Sequence, residues 1–351
     1  MTRIRVWQLG LGLLCLGIWV LPGMLSADVV LPAAMNVVEG SDLPSPGVFH
    51  LAPQTHAEFS DLQWNIGLST GFRNDSLSWS KAGYIDAYPN IQSELAWTDI
   101  VSYQCMLDAS VILESHAYFR GTAGFAFIKD GAVRDSDYLG NNRSAEYSRS
   151  ISETDDDNLL DLSLGGGPTY TFVQGRLRVA PLMGFAIHHQ NLRITDGEQV
   201  IASSGTPPLG ALDEGLNSTF QAKWQGPWLG ADLNYSPGRK LFERQMAIAL
   251  SMEYHFAVSY SATANWNLRS DLDHPVSFRH KSQGSGWLIR GQWSLAWTRR
   301  LNIHLGLIYQ YWTTRSGTIR MYYSDDAVLS SPLNEVAWQS ASVFAGVVFN
   351  L

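Results

Sequence analysis

From Glu58 onward the chain repeats one pattern, a run of alternating apolar and polar residues followed by a cluster of Gly, Asn, Asp, Ser or Pro. Alternation with a period of two puts successive side chains on opposite faces of an extended strand. The pattern predicts strands at Glu58–Trp79, Ser93–Leu113, His116–Asp137, Asp157–Phe172, Arg176–Thr195, Leu216–Tyr235, Glu243–Arg269, Val276–Trp297, Leu301–Tyr323 and Asn334–Leu351. Ten is an even number, as a bacterial single-chain barrel requires. Several runs exceed the about 9–11 residues that cross a bilayer, so the strands are expected to project beyond it as a rigid rim. The connections alternate in length. Glu114-Ser115, Val173–Gly175, Ser236–Phe242 and Thr298–Arg300 are short, whereas Ser80–Gln92, Tyr138–Asp156, Asp196–Gly215, Ser270–Pro275 and Ser324–Leu333 are mostly longer and polar. In outer-membrane barrels the short turns are periplasmic and the long loops extracellular. On the last run Val343, Ala345, Val347, Phe349 and Leu351 share one face, which suits closure against the first strand.

Composition agrees with a strand-built membrane protein. Aromatic residues make up 12%, with 13 Trp and 14 Tyr, while charged residues make up only 16%, below the about 25% of soluble domains. After the first segment no apolar run reaches the about 20 residues of a spanning helix. Trp287, Trp293, Trp297, Tyr309, Tyr311 and Trp312 are candidates for aromatic girdles at the membrane surfaces. The expected fold is therefore an all-β, ten-stranded antiparallel transmembrane barrel of residues 56–351, with a secreted β-sandwich as the rival.

The N-terminal segment reads as an export signal over residues 1–27. Arg3 and Arg5 precede the apolar stretch Trp7–Leu21, and Leu25-Ser26-Ala27 is a plausible cleavage site. Residues 28–55 form an irregular, Pro-containing lead-in. Loss of the signal leaves Cys105 alone, so no internal disulfide can form. It also removes two basic residues and no acidic ones, which moves the net charge from −8 to −10. That balance disfavours nucleic acid and favours cationic peptides as partners.

Two acidic tips carry the candidate chemistry. Val133-Arg134-Asp135-Ser136-Asp137-Tyr138 ends the third strand, and Ser270-Asp271-Leu272-Asp273-His274 follows the seventh. Asp135 and Asp137 stand two residues apart, on one face of a strand. Two close carboxylates raise one another's pKa and can share a proton.

At this point the chain resembles the omptins, a family of ten-stranded outer-membrane aspartyl-type endopeptidases. The resemblance covers most of the mature chain. It is carried by Gly67-Leu68-Ser69-Thr70-Gly71 with Asp75, by Ser93-Glu94-Leu95-Ala96-Trp97, by Gly124 and Gly131 to Tyr138 with Asp135 and Asp137, and by Glu146-Tyr147-Ser148-Arg149. The resemblance implies that Asp135 and Asp137 face an Asp273–His274 dyad across an extracellular groove. The histidine would act as general base on a water that attacks a peptide carbonyl. Asp75 and Asp271 would receive a basic substrate side chain, and Glu146 a second one. It also implies polypeptide substrates with basic residues, a monomer in the outer membrane of a Gram-negative bacterium, and no metal or organic cofactor. Lipopolysaccharide would be a partner and a requirement for activity.

The chain departs from the family pattern in two places. The family spacing Asp-x-Asp-x-His is here Asp271-Leu272-Asp273-His274, one residue short, so on a regular strand Asp273 and His274 point to opposite faces. The dyad then needs a bulge or a turn before Pro275; otherwise His280 serves as the histidine, or the site is inactive. After the fifth strand, His188 and His189 stand where omptins carry a Glu and an Arg that help to bind lipopolysaccharide, and they are candidates to face lipid phosphates. Three functions follow: an endopeptidase preferring basic residues, a catalytically inactive surface barrel acting as adhesin or receptor, or a small pore. The pore is disfavoured because small barrels fill their interior with side chains.

Overall fold

The computed structural model describes residues 62–114 and 116–351. The expected signal, the lead-in and the first residues of the first strand lie outside the described residues. Among the described residues there are fifteen strands: β1 (Leu62–Lys81), β2 (Ser93–Leu113), β3 (Ala117–Gly140), β4 (Ser144–Glu153), β5 (Asn158–Pro168), β6 (Tyr170–Phe172), β7 (Leu177–Ile201), β8 (Gly210–Ala211), β9 (Ser218–Tyr235), β10 (Lys240–Leu241), β11 (Arg244–Asn265), β12 (Phe278–Ala296), β13 (Leu301–Thr314), β14 (Gly317–Tyr322) and β15 (Val328–Asn350). Every pairing is antiparallel. β4 and β5 together form one stave between β3 and β7, and β13 with β14 forms another between β12 and β15. The staves run in chain order, and β15 closes on β1 with Asn65 opposite Asn350 and Thr70 opposite Ala345. The result is a closed, ten-staved antiparallel barrel whose edges are all paired, which removes the open edge that a membrane cannot tolerate.

Polarity inverts along the barrel, and the inversion locates the membrane. In the half nearer the short turns the outer face is apolar. Trp64, Ile66, Leu68 and Phe72 of β1 point outward, as do Ile248, Leu250, Met252, Tyr254 and Phe256 of β11, and Leu305, Leu307, Tyr309 and Tyr311 of β13. The runs on β1 and β11 each occupy 9 residues, enough for a tilted strand to cross a bilayer. Inside this half the lumen is ionic: Arg73, Asp75, Glu253, His188 and His255 are buried there. Higher up, outward positions become polar (Ser76, Ser78 and Ser80 on β1), and inward ones form an aromatic-rich core that includes Leu77, Trp79, Trp97, Phe220, Trp224, Tyr260, Trp312 and Trp338. Two β-bulges sit at this level, at Asp99 in β2 and Ala257 in β11, both with positive φ. Each changes the parity of its strand where the required pattern changes, so Gln104 and Ser102 below give way to Ile100 and Trp97 above. The strands therefore extend beyond the membrane as a second, conventionally packed half-barrel.

The lumen of the membrane half is held by paired charges. Arg73 chelates Asp75 at 2.7 and 2.9 Å and also bonds Asp161, which accepts from His188 Nδ1 at 2.7 Å. Arg120 bridges Asp232 at 2.8 Å and Glu253 at 2.7 Å, and Glu253 meets His255 at 2.8 Å. Arg290 grips Asp108 at 2.6 and 2.8 Å. Trp228 packs against β5 and β7 at two glycines, where a Cβ at Gly165 or Gly184 would stand 2.3 Å from its ring.

Several expected boundaries change. The expected loop 138–156 is a hairpin: β3 runs on to Gly140, turns through Asn141–Arg143 and returns as β4. The tenth strand begins at Val328 rather than at Asn334, and the seventh ends at Asn265 rather than at Arg269. Asp273 and His274 lie in the connection expected for them, which widens to 266–277.

Candidate functional site at the long-loop mouth

The register of three neighbouring strands builds the site. Trp79 lies opposite Leu95, and Leu95 opposite Asp135; one step higher, Lys81 lies opposite Ser93, and Ser93 opposite Asp137. All six have the inward parity that continues from Leu77, Trp97 and Val133 in the aromatic core. The acid pair thus stands directly on an aromatic floor, at the mouth of the half-barrel that projects from the membrane. Both acids are half-buried there.

Burial and mutual repulsion set the proton affinity of the pair. Asp135 is raised to about 8, first by burial and then by the negative charge of Asp137. Asp137 is raised by burial, against a Ser93 hydrogen bond and the nearby cations. Such a pair takes up its first proton as a unit, at a pH above the ordinary carboxylate range. Two cations oppose this. Lys81 and Arg269 each act on both acids. Burial lowers Lys81, and the two aspartates partly restore it. Its Nζ donates to Gln92 Oε1 at 2.6 Å.

The facing wall is loop 266–277. It is pinned by Leu272, buried and bridged to Tyr323, by Asp273 N–H donating to Tyr322 O at 2.9 Å, and by Ser277 Oγ accepting from Trp266 N–H at 2.9 Å. Arg269 extends from this loop and binds Asp271 through two bonds of 2.7 Å. Asp271 is lowered chiefly by these bonds. The Asp273 carboxylate accepts the backbone N–H of His274 at 2.8 Å rather than a ring nitrogen. The His274 ring donates from Nδ1 to Asn265 Oδ1 at 2.6 Å. Asn265 has the outward parity of β11, next to the inward Ala264.

The site residues expected from sequence therefore separate into groups. Asp135, Asp137 and Glu146 come together: Glu146 pairs with Arg149 on β4, and its charge reaches Asp137. Asp271 joins them indirectly through Arg269. Asp273 and His274 are neighbours without a carboxylate–imidazole bond. Asp75 is not brought to the mouth. It lies below the aromatic floor, 1% exposed, with its oxygens taken by Arg73 and by Trp338 Nε1 at 2.8 Å. Its spacing to Arg73 makes the reason plain: i and i+2 share a face, so the arginine of its own strand reaches it first. His280, the alternative histidine, is buried within the floor against Trp79, with ring centroids 4.9 Å apart, and Phe278 stacks on it. Burial lowers it to about 3. His188 and His189 diverge: His188 is buried in the lumen with Asp161, so only His189 has the outward parity that could meet lipid.

A family model for the Protochlamydia outer membrane protein matches residues 67–351. The chain belongs to that family. The match spans nearly the whole barrel, and the Protochlamydia outer membrane protein family and the barrel architecture together put the chain in the outer membrane. No curated protein matches it. Among solved structures, the outer membrane protease OmpT from Escherichia coli superposes with a TM-score of 0.69 at 10% identity, over 86% of this chain and all 100% of that one. The omptin-like fold is thereby established, while at this identity the likeness is one of fold alone. The toluene transporter TodX of Pseudomonas putida gives a TM-score of 0.29 at 8% identity, over 83% of this chain and 89% of that one.

Lys81, Ser93, Arg269 and Asn265 are the site residues that sequence reasoning missed. Lys81 continues the inward parity of Asp75, Leu77 and Trp79, a signal present in the sequence. Its alignment with Asp137 depends on the register of two strand pairs, which no local pattern reveals.

Proposed function

We propose that this omptin-fold barrel displays its mouth at the cell surface and binds cationic polypeptide segments there, without hydrolysing them by Asp–His chemistry. One observation carries the reading. The histidine of the facing wall is bonded to Asn265, and Arg269 supplies the charge from that wall that acts on Asp135 and Asp137. A water between the two walls would meet a guanidinium, which cannot accept its proton. The acidic pair instead suits a lysine or arginine side chain laid into the mouth, whereas Glu146 and Asp271 are already paired with Arg149 and Arg269. The aromatic core beneath argues against a pore, because it fills the lumen across Trp79, Trp97, Phe220 and Trp224.

A second reading, an omptin-type endopeptidase, is favoured by the raised Asp135 carboxyl, since a pair sharing one proton suits water activation. The two are separated by offering dibasic peptides to the refolded barrel with lipopolysaccharide, the lipid partner expected of an omptin. Binding that is lost in Asp137→Asn, with the peptide recovered intact, supports the first. Cleavage that is lost in both Asp137→Asn and His274→Ala supports the second.

A further inference from the structure

Lys81 occupies an unusual place for a cation in a site that would recruit cations. Neighbouring strands stand about 4.8 Å apart, so two spacings put the Cα atoms of Lys81 and Asp137 about 10 Å apart. Both side chains point into the mouth from one row, with only Ser93 between them. A lysine stem covers most of that span. The ammonium is instead held by Gln92 at 2.6 Å, and no ion pair with either aspartate forms. Gln92 is itself fixed from both sides: its N–H donates to Lys81 O at 2.8 Å, and its carbonyl accepts from Tyr138 N–H at 2.9 Å. The remaining charged and titratable groups around the acids are Arg269, Glu146 and Tyr147. Arg269 is committed to Asp271 and Glu146 to Arg149. Of the two cations that act on the pair, Lys81 is the one held by a neutral partner.

We propose that Lys81 is a built-in competitor for the acid pair, a specificity-determining residue that weakens binding of incoming cations and is itself kept in place by Gln92. This rests on the mouth-binding reading. The lysine keeps the pair from being an open two-carboxylate site, so that a ligand must present several positive charges to outcompete it. Single cations gain little, whereas polycationic segments engage both carboxylates of the pair at once.

The test is fluorescence anisotropy of a labelled dibasic peptide on the refolded full barrel at low ionic strength, with heat-shifted gel migration confirming the fold of each variant. Lys81→Met is expected to tighten binding about three- to tenfold, the scale of one unit charge acting across a partly screened gap. Lys81→Arg, which keeps the charge, is expected to stay near the wild type, and Asp137→Asn to abolish binding. If Asp137→Asn abolishes binding but Lys81→Met leaves it unchanged or weaker, the competitor role is overturned and the mouth-binding reading stands. If the wild type and both charge-removing variants bind no peptide, the mouth-binding reading falls and the competitor role falls with it.

Discussion

Replacing Arg73 with methionine should strongly destabilise the lumen of the membrane half. The guanidinium is 4% exposed, chelates Asp75 through two bonds, reaches Asp161 with its third nitrogen, and lies 5.7 Å from the Trp338 ring. Methionine fills much of the same volume but leaves Asp75 buried, with only Trp338 Nε1 as partner. Asp161 keeps His188. Breaking a buried ion pair from one side typically costs about 3–5 kcal/mol, most of it the uncompensated charge left behind. The loss should be largely recovered by removing that charge as well: Arg73→Met with Asp75→Leu should return roughly 1.5–3 kcal/mol of coupling. The assay is equilibrium urea unfolding of the barrel in lipid vesicles, followed by tryptophan fluorescence. A single variant that loses less than about 1 kcal/mol, or a double variant no better than the single, would show the lumen charges to be hydrated rather than held by one another.

Further predictions follow from the acid pair and the membrane boundary. Because the Asp135 carboxyl is raised in the folded protein to about 8, the native state holds a proton that the unfolded chain releases near pH 4. Stability should therefore fall as pH climbs between about 4 and 8, and Asp135→Asn should flatten that slope in the same unfolding assay. A charge on the lipid face should be costly only inside the band: Leu68→Arg should destabilise by about 2–4 kcal/mol, and Ser78→Arg on the same face of β1 by less than about 1. Equal costs at the two positions would place the upper boundary of the membrane elsewhere.

The architecture was legible because a barrel strand writes its two environments in alternate residues. The run Ser93–Leu113 appears in the fold with both boundaries unchanged, and so does the closure of the last strand on the first. The hairpin at 138–156 was not legible, because Asn141, Asn142 and the acids of 153–157 look like loop residues, although the strand pairing of β3 with β4 overrides them. Asp135 and Asp137 could be placed because i, i+2 parity is local. The opposite wall could not. Whether β11 stops at Asn265 or runs on to Arg269 depends on tertiary contacts of Leu272, Asn267 and Ser277, and these decide where His274 points. Asp75 misled for a related reason: the omptin resemblance placed it in a substrate pocket, whereas Arg73 on its own strand face had already claimed it.

Whether the mouth binds cationic polypeptide through Asp135 and Asp137 and leaves it uncut is decided in one experiment. The most direct measurement incubates a dibasic peptide with the refolded barrel and lipopolysaccharide, reading binding by anisotropy and peptide integrity by mass spectrometry in the same sample. Saturable binding is expected, lost in Asp137→Asn and retained in His274→Ala, with the peptide mass unchanged. New fragments formed by the wild type and absent with His274→Ala would contradict it.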